Sequence, residues 1–227
     1  MFAMTMSVGV AASPLADGLV QFADPGLRAT LREYAACKAM RHASSARVAL
    51  RDDLSTTEIQ RRYPELLSNE CLKPAVFHAR KLQIVNGMYQ GFLAEGLLLR
   101  DYPLAALPDF AGAAPLPHDT IPAFDETQVS QRPRDSFARM REMSAFSRVA
   151  ECVARAAPVP VYRFVTVTPD SPEESRGFAG LQSVVTLCQT KGNSAPLPAF
   201  AWRFALAATL LQLVDKARPI ANEGSHA

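Results

Sequence analysis

Large apolar residues recur every three or four positions along most of this chain, with polar residues between them. Leu27, Leu31, Tyr34, Ala35 and Lys38 share one side of a stretch from Asp24-Pro25 to about Ala43. Arg28, Arg32 and Arg41 fall on its other sides. Asp or Ser before Pro marks a helix start, because the side chain caps free backbone donors and Pro suits the first helical position. Ser13-Pro14 carries the same signal. A second helical run follows Pro74 and extends to about Arg100, through Val76, Phe77, Leu82, Val85, Tyr89, Phe92, Leu93 and Leu97. Gly87 and Gly91, four residues apart on it, leave one face bare for a close helix neighbour. A third run spans about 134–156, with Phe137, Met140, Met143, Ala150 and Val153 on one face. Residues 161–167 and 183–187 are rich in β-branched and aromatic side chains and read as two strands. Residues 200–214 are apolar on most sides, so neighbours in the chain or in a second subunit must cover that helix.

The pattern therefore predicts a mainly α protein of α+β type. Its N-terminal part is helical, and its C-terminal part combines helices with a small β-hairpin or sheet. Residues 1–12 form a flexible leader: the apolar run is short and lacks the Lys or Arg that opens a signal peptide. Residues 13–100 form the helical region. Pro103, Pro108, Pro115, Pro117, Pro122 and Pro133 break the pattern over 101–133. Leu104, Leu107, Phe110, Leu116, Ile121 and Phe124 are interleaved with them, so this connection is expected to wrap over a surface. The α+β region covers 134–219, and 220–227 is a tail.

Residues 47–66 hold the most informative local signal. They read as a short helix, a tight break and a second short helix that starts at Ser55. Ser55 and Glu58 stand in the S-x-x-E relation, in which hydroxyl and carboxylate each satisfy the other residue's backbone N–H. Val48, Ala49, Leu54 and Ile59 can lock the two helices together. Thr56, Thr57, Gln60 and Arg61 then fall on the first turns of the second helix, where a helix-turn-helix protein meets base edges. Arg47, Arg51 and Arg62 are expected on phosphates. Asp52 and Asp53 depart from the usual turn, which favours Gly and an apolar residue, and Pro64 ends the second helix early. An ordinary α-hairpin with a solvated polar face is the competing reading.

Charge adds a little. The chain carries 24 Lys and Arg against 22 Asp and Glu, a net +2. Residues 28–81 hold 11 basic and 6 acidic residues, a local +5, against −3 for the remainder. A basic half suits phosphate contact. With 48% apolar residues the chain can bury a sizeable core. Cys37, Cys71, Cys152 and Cys188 are scattered without a C-x-x-C pair, which suits reduced thiols in a cytoplasm. No His lies at metal-ligand spacing, so neither metal nor cofactor is expected. Elbow, Walker, zinc-protease and dinucleotide motifs are absent. The one enzymatic alternative pairs Cys71 as nucleophile with His78 or His118 as base.

The run Leu54-Ser55, Ile59, Arg61, Tyr63 and Glu65-Leu66 resembles the FlhC subunit of the bacterial flagellar master activator. Tyr89-Gln90, Leu93 and Gly96 echo a second block of that family, an aromatic-Gln pair followed by Leu and Gly on a long helix. The span from the first block to the end of the second, 54–96, is about a fifth of the chain. The family's four-cysteine zinc site near the C-terminus has no counterpart, since only Cys152 and Cys188 lie in that half. The resemblance implies sequence-specific binding of double-stranded DNA, assembly with a small helical partner, and transcriptional activation. The expected protein is thus a cytoplasmic, non-enzymatic DNA-binding regulator. It would act with a second regulatory subunit or by self-association, away from the membrane. A non-enzymatic interaction factor, such as a secretion or conjugation accessory subunit or an effector, is the alternative.

Overall fold

The computed structural model describes residues 25–72, 86–110, 112–118, 131–189 and 197–217. The leader, Ser13-Pro14, residues 74–85, Ile121, Phe124 and the tail lie outside them. Eight α-helices and no strand occur among the described residues. They are α1 (Pro25–Arg41), α2 (Ala43–Arg51), α3 (Thr56–Arg62), α4 (Asn86–Asp101), α5 (Gln131–Ala156), α6 (Pro158–Thr166), α7 (Pro172–Cys188) and α8 (Ala199–Ala217). Short 3-10 turns at Pro64–Leu67, Asn69–Cys71 and Leu104–Ala106 complete the elements among the described residues.

Both expected strands are helices. Residues 161–167 lie in α6 and just past its end, and 183–187 in the last turns of α7. The spacing explains the correction. Val161, Tyr162, Phe164 and Val165 are buried at i, i+1, i+3 and i+4, a helical stripe, and Pro158 supplies a helical N-terminus. Towards the end of α7, Leu181 and Val185, four apart, are buried, and Val184 packs half-buried beside them. β-Branched composition gave way to period.

Two helices organise the packing. Helix α4 lies between α1 and α8, and α8 in turn packs on α5 and α6, with α7 as an outer layer over α5 and α6. The close approaches depend on glycine. A Cβ on Gly91 would sit 2.6 Å from Phe204 Cα in α8, and one on Gly96 would sit 2.7 Å from Ala39 Cβ in α1. The bare face expected from sequence is thus real at Gly91. Helix α8 is buried nearly all round: Trp202, Phe204, Leu206, Leu210, Leu211 and Leu213 are all in the core. Trp202 meets Phe146 of α5 edge to face at 4.6 Å, and Phe204 meets Phe92 of α4 at 5.0 Å. The chain's own helices therefore cover α8, and its apolar girth calls for no second subunit.

The described part of the Pro-rich connection wraps as its pattern suggested. Phe110 and Leu116 are buried. Arg155 donates to the carbonyls of Phe110, Ala113 and Ala114, and Lys216 to that of Pro115. Glu151 accepts the Leu116 N–H. His118 places Nδ1 3.0 Å from Ser147 Oγ and Nε2 on Glu151.

All four cysteines are bonded, as Cys37–Cys71 and Cys152–Cys188, with Cα–Cα distances of 5.9 and 5.8 Å. The expectation of reduced, scattered thiols is corrected. Sequence separations of 34 and 36 hid pairs that the fold brings together. The first bond closes a loop that contains α2, α3 and the first two 3-10 turns. The second joins α5 to the last residue of α7.

Candidate nucleic-acid interface

The unit built from α2, α3 and their connection follows from local chemistry. Ser55 caps α3: its Oγ accepts the Glu58 N–H, and Glu58 Oε2 accepts the Ser55 N–H at 2.9 Å, a complete capping box. These bonds hold the half-buried Glu58 carboxyl below the usual carboxylate range. Ile59 and Leu54 enter the core. Asp53 adopts φ 45°, the left-handed conformation for which glycine is the usual choice and Asp is tolerated. The departure noted at the turn is therefore accommodated in place.

Helix α4 fastens this unit from behind. Gln90 Nε2 donates to Asp53 Oδ1 and to the Leu54 carbonyl, both at 3.1 Å. The Tyr89 hydroxyl donates to the Leu66 carbonyl, where the Tyr34 hydroxyl also donates at 3.1 Å. Burial pushes the Tyr34 hydroxyl up to about 12 and Tyr89 higher still, so both remain donors. Lys38, buried in α1, reaches the Glu65 carbonyl and Ser68 Oγ, each at 2.6 Å. Burial lowers its pKa, with Glu70 opposing. The two separate sequence blocks, 54–66 and 89–96, are thus one hydrogen-bonded assembly.

Of the side chains expected on DNA, Thr57, Gln60 and Arg61 lie at i, i+3 and i+4 on one exposed stripe, roughly opposite Ile59. Arg51 and Arg62 are exposed beside it. Ser55 and Thr56 are half-buried, and Ser55 is committed to the cap. Arg47 is not on this face. It pairs with Asp101 at 2.7 Å and with Asp215, over the Tyr102 ring, and so ties α2 to the ends of α4 and α8. The Tyr102 hydroxyl donates to the same Asp215 at 2.6 Å.

Among the described residues most of the basic side chains of this region are already paired. Arg28 pairs with Asp170, Arg32 with Glu95, Lys38 and Arg41 with Glu70, and Arg47 as above. On the exposed face Asp52 lies 3.0 Å from Arg51 and 3.7 Å from Arg62. Counting Arg51, Arg61 and Arg62 against Asp52, Asp53 and Glu58, the face is near neutral.

A second polar centre escaped the sequence pattern. Arg203, 1% exposed, donates to Glu95 at 2.9 Å, to Glu174 at 2.9 Å, and to the carbonyls of Phe164, Val165 and Val167 at the end of α6. Burial pushes the Glu95 carboxyl up, against the pull of Arg203 and Arg32. The only sequence sign was a charge inside each of two apolar helices. The Ser147–His118–Glu151 row sets a hydroxyl, an imidazole and a carboxylate in line. Its carboxylate also holds Leu116 and Arg155, so the row fastens the Pro-rich strap. Cys71 is bonded to Cys37 and offers no thiol to a base, and His78 lies outside the described residues.

No group of His, Cys, Asp and Glu suited to a metal ion occurs among the described residues, and no described helix is long and apolar enough to cross a membrane. No family model matches the chain, and no curated protein or solved structure gives a significant match.

Proposed function

We propose that this chain is a sequence-specific DNA-binding regulator, activator-like, that reads base edges with Thr57, Gln60 and Arg61 of α3 and meets phosphates with Arg51 and Arg62. The observation that carries it is the clamp of Gln90 on the left-handed turn at Asp53 and on Leu54. That clamp presents a capped short helix rigidly, and it unites the two blocks in which the sequence resembles FlhC. The near-neutral face has a consequence. Few phosphates are neutralised per chain, so affinity for a single unit is low and its salt dependence shallow. A second regulatory subunit or a second copy then supplies the remaining contacts, and the chain works in the cytoplasm without enzymatic activity.

The test is a gel shift on fragments from the gene's own neighbourhood at two salt concentrations. An Arg61→Ala, Arg62→Ala double variant is expected to lose sequence discrimination, since one bidentate base contact is worth roughly 1–3 kcal/mol. Equal binding by variant and wild type would remove α3 from consideration.

A second reading rests on the disulfides. Bonded cysteines are usual in oxidising compartments and rare in a mesophilic cytosol. On that ground the chain is a non-enzymatic interaction factor exported or displayed outside the cytoplasm, with the α3 face turned to a protein. Alkylation of cysteines in intact cells separates the two. Four protected cysteines favour the interaction factor, and four labelled ones the regulator.

A further inference from the structure

The two disulfides sit in different mechanical settings. Around Cys37–Cys71, both half-buried, Tyr34, Lys38 and Tyr89 independently hold residues 65–68. Loss of that bond leaves the segment anchored. Cys152–Cys188 differs on each count. Cys152 is exposed and Cys188 half-buried.

Helix α7 is held unevenly. Its first half is fixed by the Ser171 cap, by Glu174 on Arg203, and by Phe178 stacked at 5.6 Å on Phe164. Glu174 also accepts the N–H of Asp170, and Asp170 pairs with Arg28. Its second half fully buries only Leu181 and Val185, with Val184 and Cys188 half-buried against the core. Gln182, Ser183 and Thr186 are exposed, and Leu187 is 81% exposed. Among the described residues no side-chain hydrogen bond or ion pair joins 179–187 to another element; the hydroxyl of Thr186 returns to its own helix at Gln182. Gly180 lies between the halves with nothing within 4 Å of a Cβ built on it, and a glycine there weakens the helix by about 1 kcal/mol relative to alanine.

We propose that Cys152–Cys188 is a redox-labile clamp on the outer helix, and that its reduction frees α7 beyond Gly180 while the rest of the fold stays closed. The reductant is a low-molecular-weight thiol of the glutathione class. Its thiolate attacks one sulfur of the exposed bond, and the S–S bond breaks as a mixed disulfide forms. The other protein sulfur leaves as a thiolate and takes a proton. A second small thiol then attacks the mixed disulfide, releasing the remaining cysteine as a thiol. Two electrons pass to the protein, and the two small thiols end as their own disulfide. Exposed bonds are the labile ones in such exchange. Because the bond closes a long loop, its loss should raise opening of the segment by roughly 10²–10³-fold.

The experiment titrates the intact protein with glutathione. It traps free thiols by alkylation, maps them by mass spectrometry, and follows amide exchange in parallel. Cys152 and Cys188 are expected to label at milder reductant than Cys37 and Cys71. Exchange should then rise over 181–188 and stay unchanged over 172–178. A Cys152→Ser, Cys188→Ser variant should reproduce that pattern without reductant, and a Cys37→Ser, Cys71→Ser variant should not. Simultaneous reduction of both bonds with global loss of protection would overturn the proposal. So would reduction of Cys152–Cys188 with no change in exchange. Wild-type protein in reductant supplies the readout even where a variant fails to fold.

Discussion

At Arg203 a single guanidinium serves two carboxylates and three helix-end carbonyls, out of contact with water. Such a group contributes less through its own attraction than through what its removal leaves behind. Arg203→Leu leaves buried Glu174 with only the Asp170 N–H and buried Glu95 with Arg32 alone, and breaking a buried pair from one side costs about 3–5 kcal/mol. Urea denaturation should show that loss. Adding Glu174→Gln to the same variant should recover part of it, because the buried carboxylate whose ion-pair partner was Arg203 is gone. None of this was legible beforehand. Glu95 and Arg203 are 108 residues apart, and either alone resembles a solvated charge on a helix. By contrast, the Ser55–Glu58 cap was readable, since both partners lie within one turn and need no tertiary information. Arg47 shows the same limit from the other side: its exposure depended on Asp101 and Asp215 arriving from elsewhere.

At the level of helices, periodicity located α1, α4, α5 and α8, and failed where short segments carried β-branched side chains. Helix α7 did announce itself, through Ser171-Pro172 followed by Glu174, a start signal that the Val-rich end obscured. The glycines of these helices divide by neighbour. Gly91→Ala would place a methyl 2.6 Å from the Phe204 backbone, so α4 and α8 must separate. The expected cost is about 1–3 kcal/mol despite the gain in helix propensity. Gly180→Ala meets empty space and should stabilise α7 by up to about 1 kcal/mol. Thermal unfolding of the two variants beside wild type checks both signs together.

Across the whole molecule, the strap over α5 depends on ionised Glu151. Burial opposes its charge, but the Leu116 N–H, Arg155 and His118 together hold its carboxyl below the ordinary value. A carboxylate depressed in the fold adds stability above its unfolded pKa, near 4.3, and loses it as pH falls through the lower folded value. Thermal stability should therefore fall on acidification below about pH 4.3, and Glu151→Gln should flatten that part of the profile. The wrap itself was foreseeable from apolar residues among prolines; its fastening was not, because it joins 110–118 to residues 29 to 101 positions away. The position of α8 in the chain has a kinetic corollary. The helix at the centre of the core is the last described element, so synthesis on the ribosome delivers the keystone after the stones around it. Until it emerges, the Gly91 and Phe92 face of α4 and the inner faces of α5 and α6 have nothing to close on. Contacts so distant in sequence form slowly, and nascent chains in that state are prone to aggregate. A chain arrested before residue 199 should therefore engage chaperones and remain protease-sensitive, whatever helices it has already formed.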